Sequence, residues 1–107
     1  MTARIPDEID LHFHQEMLNI YRSAKIECGY NATRFLQMVA NDGGLTTAHK
    51  LLATPQPSDG FVTLWQNQRL DLTVEALILK PEYASLFTHE ERIIARERLE
   101  AYGYKFC

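Results

Sequence analysis

Between Pro6 and Cys28 the apolar residues Ile9, Phe13, Met17, Ile20 and Ala24 recur every third or fourth position, and Glu8, Gln15, Glu16, Arg22 and Lys25 fill most of the others. That spacing lays one apolar stripe along a helix. Gly29 is placed to stop it, because glycine takes the left-handed backbone of a helix end without a Cβ clash. Asn31 can accept a hydrogen bond from a free backbone N–H and so start a second helix, with Phe35, Met38 and Val39 inward. "NDGG", residues 41 to 44, then supplies turn residues. After it, Thr46 or Thr47 is positioned to cap a short helix through Leu51, Leu52 and Ala53. "TPQPS" must end that helix, since each proline disfavours helical backbone in the residue before it.

Ser58 or Asp59 opens the next helix, which carries Phe61, Leu64 and Trp65 at helical spacing, and Asp71 or Thr73 caps the one after. In "LTVEALILKPEY" the apolar residues Leu72, Val74, Ala76, Leu77, Ile78 and Leu79 point around most of a helical circumference. A helix of that kind is enclosed on several sides, and it is expected to be the central element. Pro81 suits the first position of a short turn running through Phe87. "THEE" reads as a capping box of Thr88 and Glu91. The final helix runs to about Tyr102, with Ile93, Ile94, the Glu97 stem, Leu99 and Ala101 inward, Arg92, Arg96 and Glu100 outward, and Gly103 as its stop. Every periodic segment reads at 3.6 residues per turn and no alternating strand appears, which predicts an all-α, compact bundle of about five or six helices, several of them short.

Composition narrows this picture further. A chain of 107 residues closes one core, so residues 1–107 are read as a single helical domain. A formal net charge of -3 offers no general attraction for phosphate backbones or anionic lipid. Nucleic acid would be reached only through a local basic patch or a partner. Cys28 and Cys107 lie outside any CxxC or Cys/His cluster, so free thiols are expected. No apolar run approaches the roughly 18 residues of a membrane span, and "MTARIPDEID" lacks an apolar signal segment. The reading is cytoplasmic, with no membrane, no metal and no cofactor.

Candidate chemistry meets a structural explanation at each place. His12, His14 and Glu16 resemble a ligand cluster, yet only His12 and Glu16 share a helical face, and zinc takes three or four ligands. Cys28 has no base readable beside it. The segment "ATRFLQMVANDGGLTTAHKLLA" has the length and central turn of a helix-turn-helix, which would place Thr46, Thr47, His49 and Lys50 at the start of a recognition helix. Asp42 and the acidic balance oppose that reading, and helical hairpins are commoner as packing units. A carboxylate-dependent hydrolase would draw on Asp59, Asp71, Glu75 and Glu82, but the aspartates read as caps and Glu82 as a first-turn acid facing a helix dipole. Tyr83, Phe87, Tyr102, Tyr104 and Phe106 concentrate aromatic surface late in the chain, more than a small domain readily encloses. Arg69, Asp71 and Glu75 are expected to form a polar cluster beside Trp65, as a helix-fixing ion pair or as one edge of a recognition notch.

The run "GGLTTAHKLLATPQPSDGFVTLWQNQRLDLTVEALILKPEYASLFTHEERIIARERLEAYGY", residues 43 to 104, resembles a small bacterial helical domain family of largely uncharacterised proteins. Gly43, Gly44, Ala48, Leu51, Leu52, "SDGF", Leu64, Trp65, "RLDLTVE", Pro81, Glu82 and "LFT" carry the likeness. Such domains occur alone and beside restriction-type or other defence proteins, which implies an accessory or interaction role and supplies no catalytic residue. The expectation is therefore a non-catalytic interaction module that takes a protein partner or a second copy of itself. Trp65, Arg69, Asp71, Glu75, Tyr83, Phe87, Tyr102 and Tyr104 are its candidate contact residues.

Overall fold

The structure, a computed structural model, describes residues 8–105. Pro6, Phe106 and Cys107, all used in the sequence reading, lie outside them. Among the described residues the chain forms α1 Glu8–Cys28, α2 Thr33–Asp42, α3 Gly44–Ala53, α4 Asp59–Gln66, α5 Val74–Ile78 and α6 His89–Ala101. Single 3-10 segments occupy Leu70–Leu72 and Pro81–Leu86, and no strand is present among the described residues. The protein is an all-α bundle.

Burial follows the predicted stripe closely in α1, where Phe13, Met17 and Ala24 are buried and Gly29 ends the helix at φ +66°. Phe13 and Met17 enter the main core with Val39 of α2, Ala48 and Leu52 of α3, Val74, Leu77 and Ile78 of α5, Tyr83, Phe87, and Ala95 of α6. Phe13 meets Tyr83 and Phe87 edge to face at centroid distances of 5.1 and 5.4 Å, the geometry that ring quadrupoles favour. A second, smaller cluster gathers Phe61, Leu70 and Leu99 with Ala76, Leu79, Tyr102 and Tyr104. The core is thus divided in two.

Local caps do much of the positioning. Ser58 accepts from the Phe61 N–H at 3.1 Å to begin α4, and Thr73 accepts from the Ala76 N–H at 3.2 Å to begin α5. Thr88 and Glu91 form the full capping box of α6, at 3.1 and 2.9 Å.

Four local expectations are corrected. Asn31 does not cap α2; its side chain accepts from the Tyr21 hydroxyl at 2.6 Å, and Ala32 stands at the cap position. Thr46 and Thr47 do not begin α3, because Gly43, at φ +87°, absorbs the whole turn and the helix starts at Gly44. The "LTVEALIL" helix is enclosed, with Val74, Glu75, Leu77 and Ile78 buried, but spans only Val74–Ile78, between the Leu70–Leu72 and Pro81–Leu86 segments. α3, which packs on α1, α2, α5 and α6, shares the centre with it. In α6 the inner face is Ala95, Leu99 and the Arg98 stem, while Ile93 and Ile94 are 41% and 37% exposed. Arg98 sets this rotation. Its guanidinium donates to the carbonyls of Leu51 at 3.0 Å, of Leu52 at 3.5 Å and of Thr54, and to Glu75 at 3.2 Å.

Candidate functional site

α4 ends in a Schellman motif: the Gln68 N–H donates to the Trp65 carbonyl at 2.9 Å and the Arg69 N–H to that of Leu64 at 2.8 Å. α6 ends the same way, with Gly103 donating to Glu100 at 3.0 Å and Tyr104 to Leu99 at 2.9 Å. The two ends lie side by side, enclosing a notch of about 330 Å³ lined by Trp65, Gln68, Leu70 and Asp71 from one and Tyr102, Tyr104 and Lys105 from the other. Tyr102 forms the hinge of its aromatic wall, edge to face with Phe61 at 5.0 Å and with Trp65 at 5.2 Å. Phe61 is buried and Trp65 is 42% exposed, so the wall runs from core to solvent.

Beside the notch, Arg69 holds Asp71 through two hydrogen bonds of 3.1 Å and Glu27 of α1 through one of 2.5 Å. The hydrogen bond to Asp71, and then that to Glu27, raise the guanidinium above its ordinary value. The same Arg69 bond holds the Asp71 carboxyl below its own ordinary value. This trio ties the end of α4 to the end of α1, a long-range tie that sequence spacing did not reveal.

Glu75 does not join that trio. It is 3% exposed and pairs with Arg98, and burial, the largest influence, pushes its carboxyl up although that pairing pulls the other way. Tyr83 and Phe87 are also absent from the notch, being 0% and 7% exposed in the main core. The Tyr83 hydroxyl lies 2.8 Å from His12 Nδ1, and burial, the largest influence, raises it above its ordinary value. Of eight expected contact residues, the fold therefore brings Trp65, Arg69, Asp71, Tyr102 and Tyr104 together.

The residues of the nucleic-acid reading are dispersed around α3. Thr47 is fully buried, and its hydroxyl has no hydrogen-bond partner. His49 Nδ1 meets Glu91 Oε2 at 2.5 Å and its ring packs on Phe87 at 4.9 Å. Partial burial pushes Glu91 up, but the Thr88 N–H, His49 and the Thr88 hydroxyl together hold it below its ordinary value. Thr46 is exposed, and Lys50 reaches back to Asp42 at 2.9 Å.

Of the carboxylates named for a hydrolase, Asp59 and Glu75 line one cleft between α2 and α4, whereas Asp71 lines the notch and Glu82 lies in the 3-10 segment. Among the described residues no group of three His, Cys, Asp or Glu is placed to hold a metal ion, and no helix is long and apolar enough to cross a membrane. No family model, curated protein or solved structure matches the chain.

Proposed function

We propose that the protein is a non-catalytic protein-interaction module whose recognition surface is the notch between the C-terminal ends of α4 and α6. The observation that carries this reading is the half-exposed Trp65 held edge to face against Tyr102, beside an arginine already fixed by two carboxylates. Interface energy concentrates in Trp, Tyr and Arg that are rigid before binding, because little side-chain entropy remains to be lost. The burial of Thr47 and the internal bonds of His49 and Lys50 favour a protein over duplex DNA as the partner, since a recognition helix must present those side chains outward. The resemblance of residues 43 to 104 to domains found with defence proteins supports an accessory or modulating role in a cytoplasmic nucleic-acid-processing or phage-defence or anti-defence system.

The test is a photo-crosslinking amino acid at Gln68, at the notch, and another at Ile94, on the exposed side of α6, in the native cell. A discrete crosslinked protein from position 68 alone, lost on Trp65→Ala with the melting temperature retained, is the expected result. Crosslinks of equal yield at both positions, or a yield insensitive to Trp65→Ala, would overturn the assignment.

A further inference from the structure

The cleft between α2 and α4 has a volume of about 720 Å³, more than twice that of the notch and within the roughly 300–1,000 Å³ range of small-ligand sites. Its apolar lining comes from five helices, through Ala24 of α1, Phe35 and Met38 of α2, Leu51 of α3, Phe61 and Leu64 of α4, and Val74 of α5. Phe35 and Met38, the two members of the α2 stripe that stay only partly buried, both line this opening.

Four charged side chains line the cleft: Arg34, Lys50, Asp59 and Glu75. Glu75 is offset by Arg98 at 3.2 Å and Lys50 by Asp42 at 2.9 Å. Asp59 stands in the first turn of α4, where the helix dipole favours a negative charge. Arg34 is different. It lies in the first turn of α2, where the dipole disfavours a cation, that turn holds no acidic residue, and no ion pair of Arg34 is present among the described residues. Asp59 also has no ion pair among the described residues, but its helix end favours its charge, so Arg34 is the lining charge that neither an ion pair nor a helix dipole offsets.

We propose that this cleft binds a small amphipathic anion, an alkyl chain bearing a carboxylate. Arg34 takes the head, since a guanidinium and a carboxylate form paired charge-assisted hydrogen bonds, and the apolar walls take the chain. The apolar walls disfavour a charged head in the interior, so the head stays with Arg34, which is exposed.

The full chain is titrated with dodecanoate and, separately, with dodecan-1-ol, below the concentration at which either self-associates, and followed by calorimetry and backbone amide shifts. Saturable dodecanoate binding is expected, with the amides of Ala24, Phe35, Gly60 and Leu64 moving most. Arg34→Gln, at an exposed position, is expected to weaken dodecanoate by about tenfold and leave dodecan-1-ol unchanged. Leu64→Trp fills the cleft and is expected to weaken both, with far-ultraviolet circular dichroism checking that it folds. Absence of saturable binding by the wild type overturns the site, as do shifts centred outside the cleft. Equal wild-type affinities for acid and alcohol overturn the assignment to an anion, as does an Arg34→Gln protein that binds dodecanoate undiminished.

Discussion

Gln68 sits at φ +61°, alone among the described non-glycine residues in having a positive φ, at the position of a Schellman turn that Gly103 fills in α6 and glycine usually fills. A side chain in that conformation costs about 1–2 kcal/mol. Gln68→Gly is therefore expected to raise stability by about 1 kcal/mol, a little less than the strain because glycine gains freedom in the unfolded chain. An unchanged or lower urea midpoint would show the turn unstrained. Arg98 is the opposite case, a residue that several groups need. Its side chain is 10% exposed and Glu75's is 4%, so Arg98→Ala leaves a buried carboxylate and three helix-end carbonyls without their donor, and a loss of about 3–5 kcal/mol is expected in urea unfolding. The double variant Arg98→Met, Glu75→Leu is expected to recover only part of this, because it removes the buried charge but not the carbonyls' need. The pair also has a pH signature. Burial raises Glu75 above its ordinary 4.5, so the native state holds that proton more tightly than the unfolded chain. Its contribution is fully present below pH 4.5 and falls as pH rises through the raised value. Asp71, lowered by Arg69, runs the other way: its contribution is present above 3.8 and is lost as pH falls through the lowered value. Stability curves of wild type and Glu75→Gln should therefore diverge above pH 4.5, the variant lacking the decline; parallel curves would remove Glu75 from the account.

At the scale of elements, α3 is a helix finished at both ends by other helices. His14 Nδ1 of α1 accepts from the Gly44 N–H at 2.9 Å, and Arg98 of α6 donates to carbonyls at the far end. The first contact requires close approach: a Cβ on Gly44 would fall 2.8 Å from the His14 Cα and 3.2 Å from Met17 Cγ. Helix propensity alone favours alanine over glycine by about 1 kcal/mol. The crossing decides otherwise, since the nearest atom is backbone and one of the two helices must move. Gly44→Ala is expected to destabilise by about 1–3 kcal/mol, as overpacking does. A thermal midpoint at or above the wild type's would mean that α1 yields without cost.

For the molecule as a whole, the division into two clusters decides where the fold is soft. α1, α2, α3 and α5 share the larger core, whereas α4 rests on Phe61, Leu70 and Leu99 and faces the cleft on another side. Segments with fewer buried apolar contacts open at lower free energy. Native-state hydrogen exchange is expected to show α4 amides opening well before those of α1 and α3, and equal protection would mean that the clusters unfold as one unit. The proposed notch lies on the smaller cluster, fixed to α1 through Arg69 and Glu27.

By itself the sequence determined the all-α class, the α1 stripe, the Thr88–Glu91 capping box and the glycine stops at 29 and 103, and it narrowed two further caps to Ser58 or Asp59 and to Asp71 or Thr73, of which the structure uses Ser58 and Thr73. All of these depend on interactions within four or five residues, or on a periodicity repeated along one helix, and such information is written locally in the chain. It also named Trp65, Arg69, Asp71, Tyr102 and Tyr104 as contact residues, together with Glu75, Tyr83 and Phe87, the aromatics from their concentration late in the chain and the polar residues because they follow Trp65 closely. Tertiary structure alone decided that Tyr83 and Phe87 go inside while Trp65 stays half outside, and that Glu75 leaves Arg69 for Arg98. It alone decided that Ile93 and Ile94 turn outward so that Arg98 can turn in. Each of these outcomes is a competition between partners distant in the sequence, His14 with Gly44, Glu27 with Arg69, Arg98 with Leu51. Apolar periodicity fixes which face of a helix avoids water, but a buried hydrogen-bonding group goes wherever a matching partner lies, and that place exists only once the helices have packed.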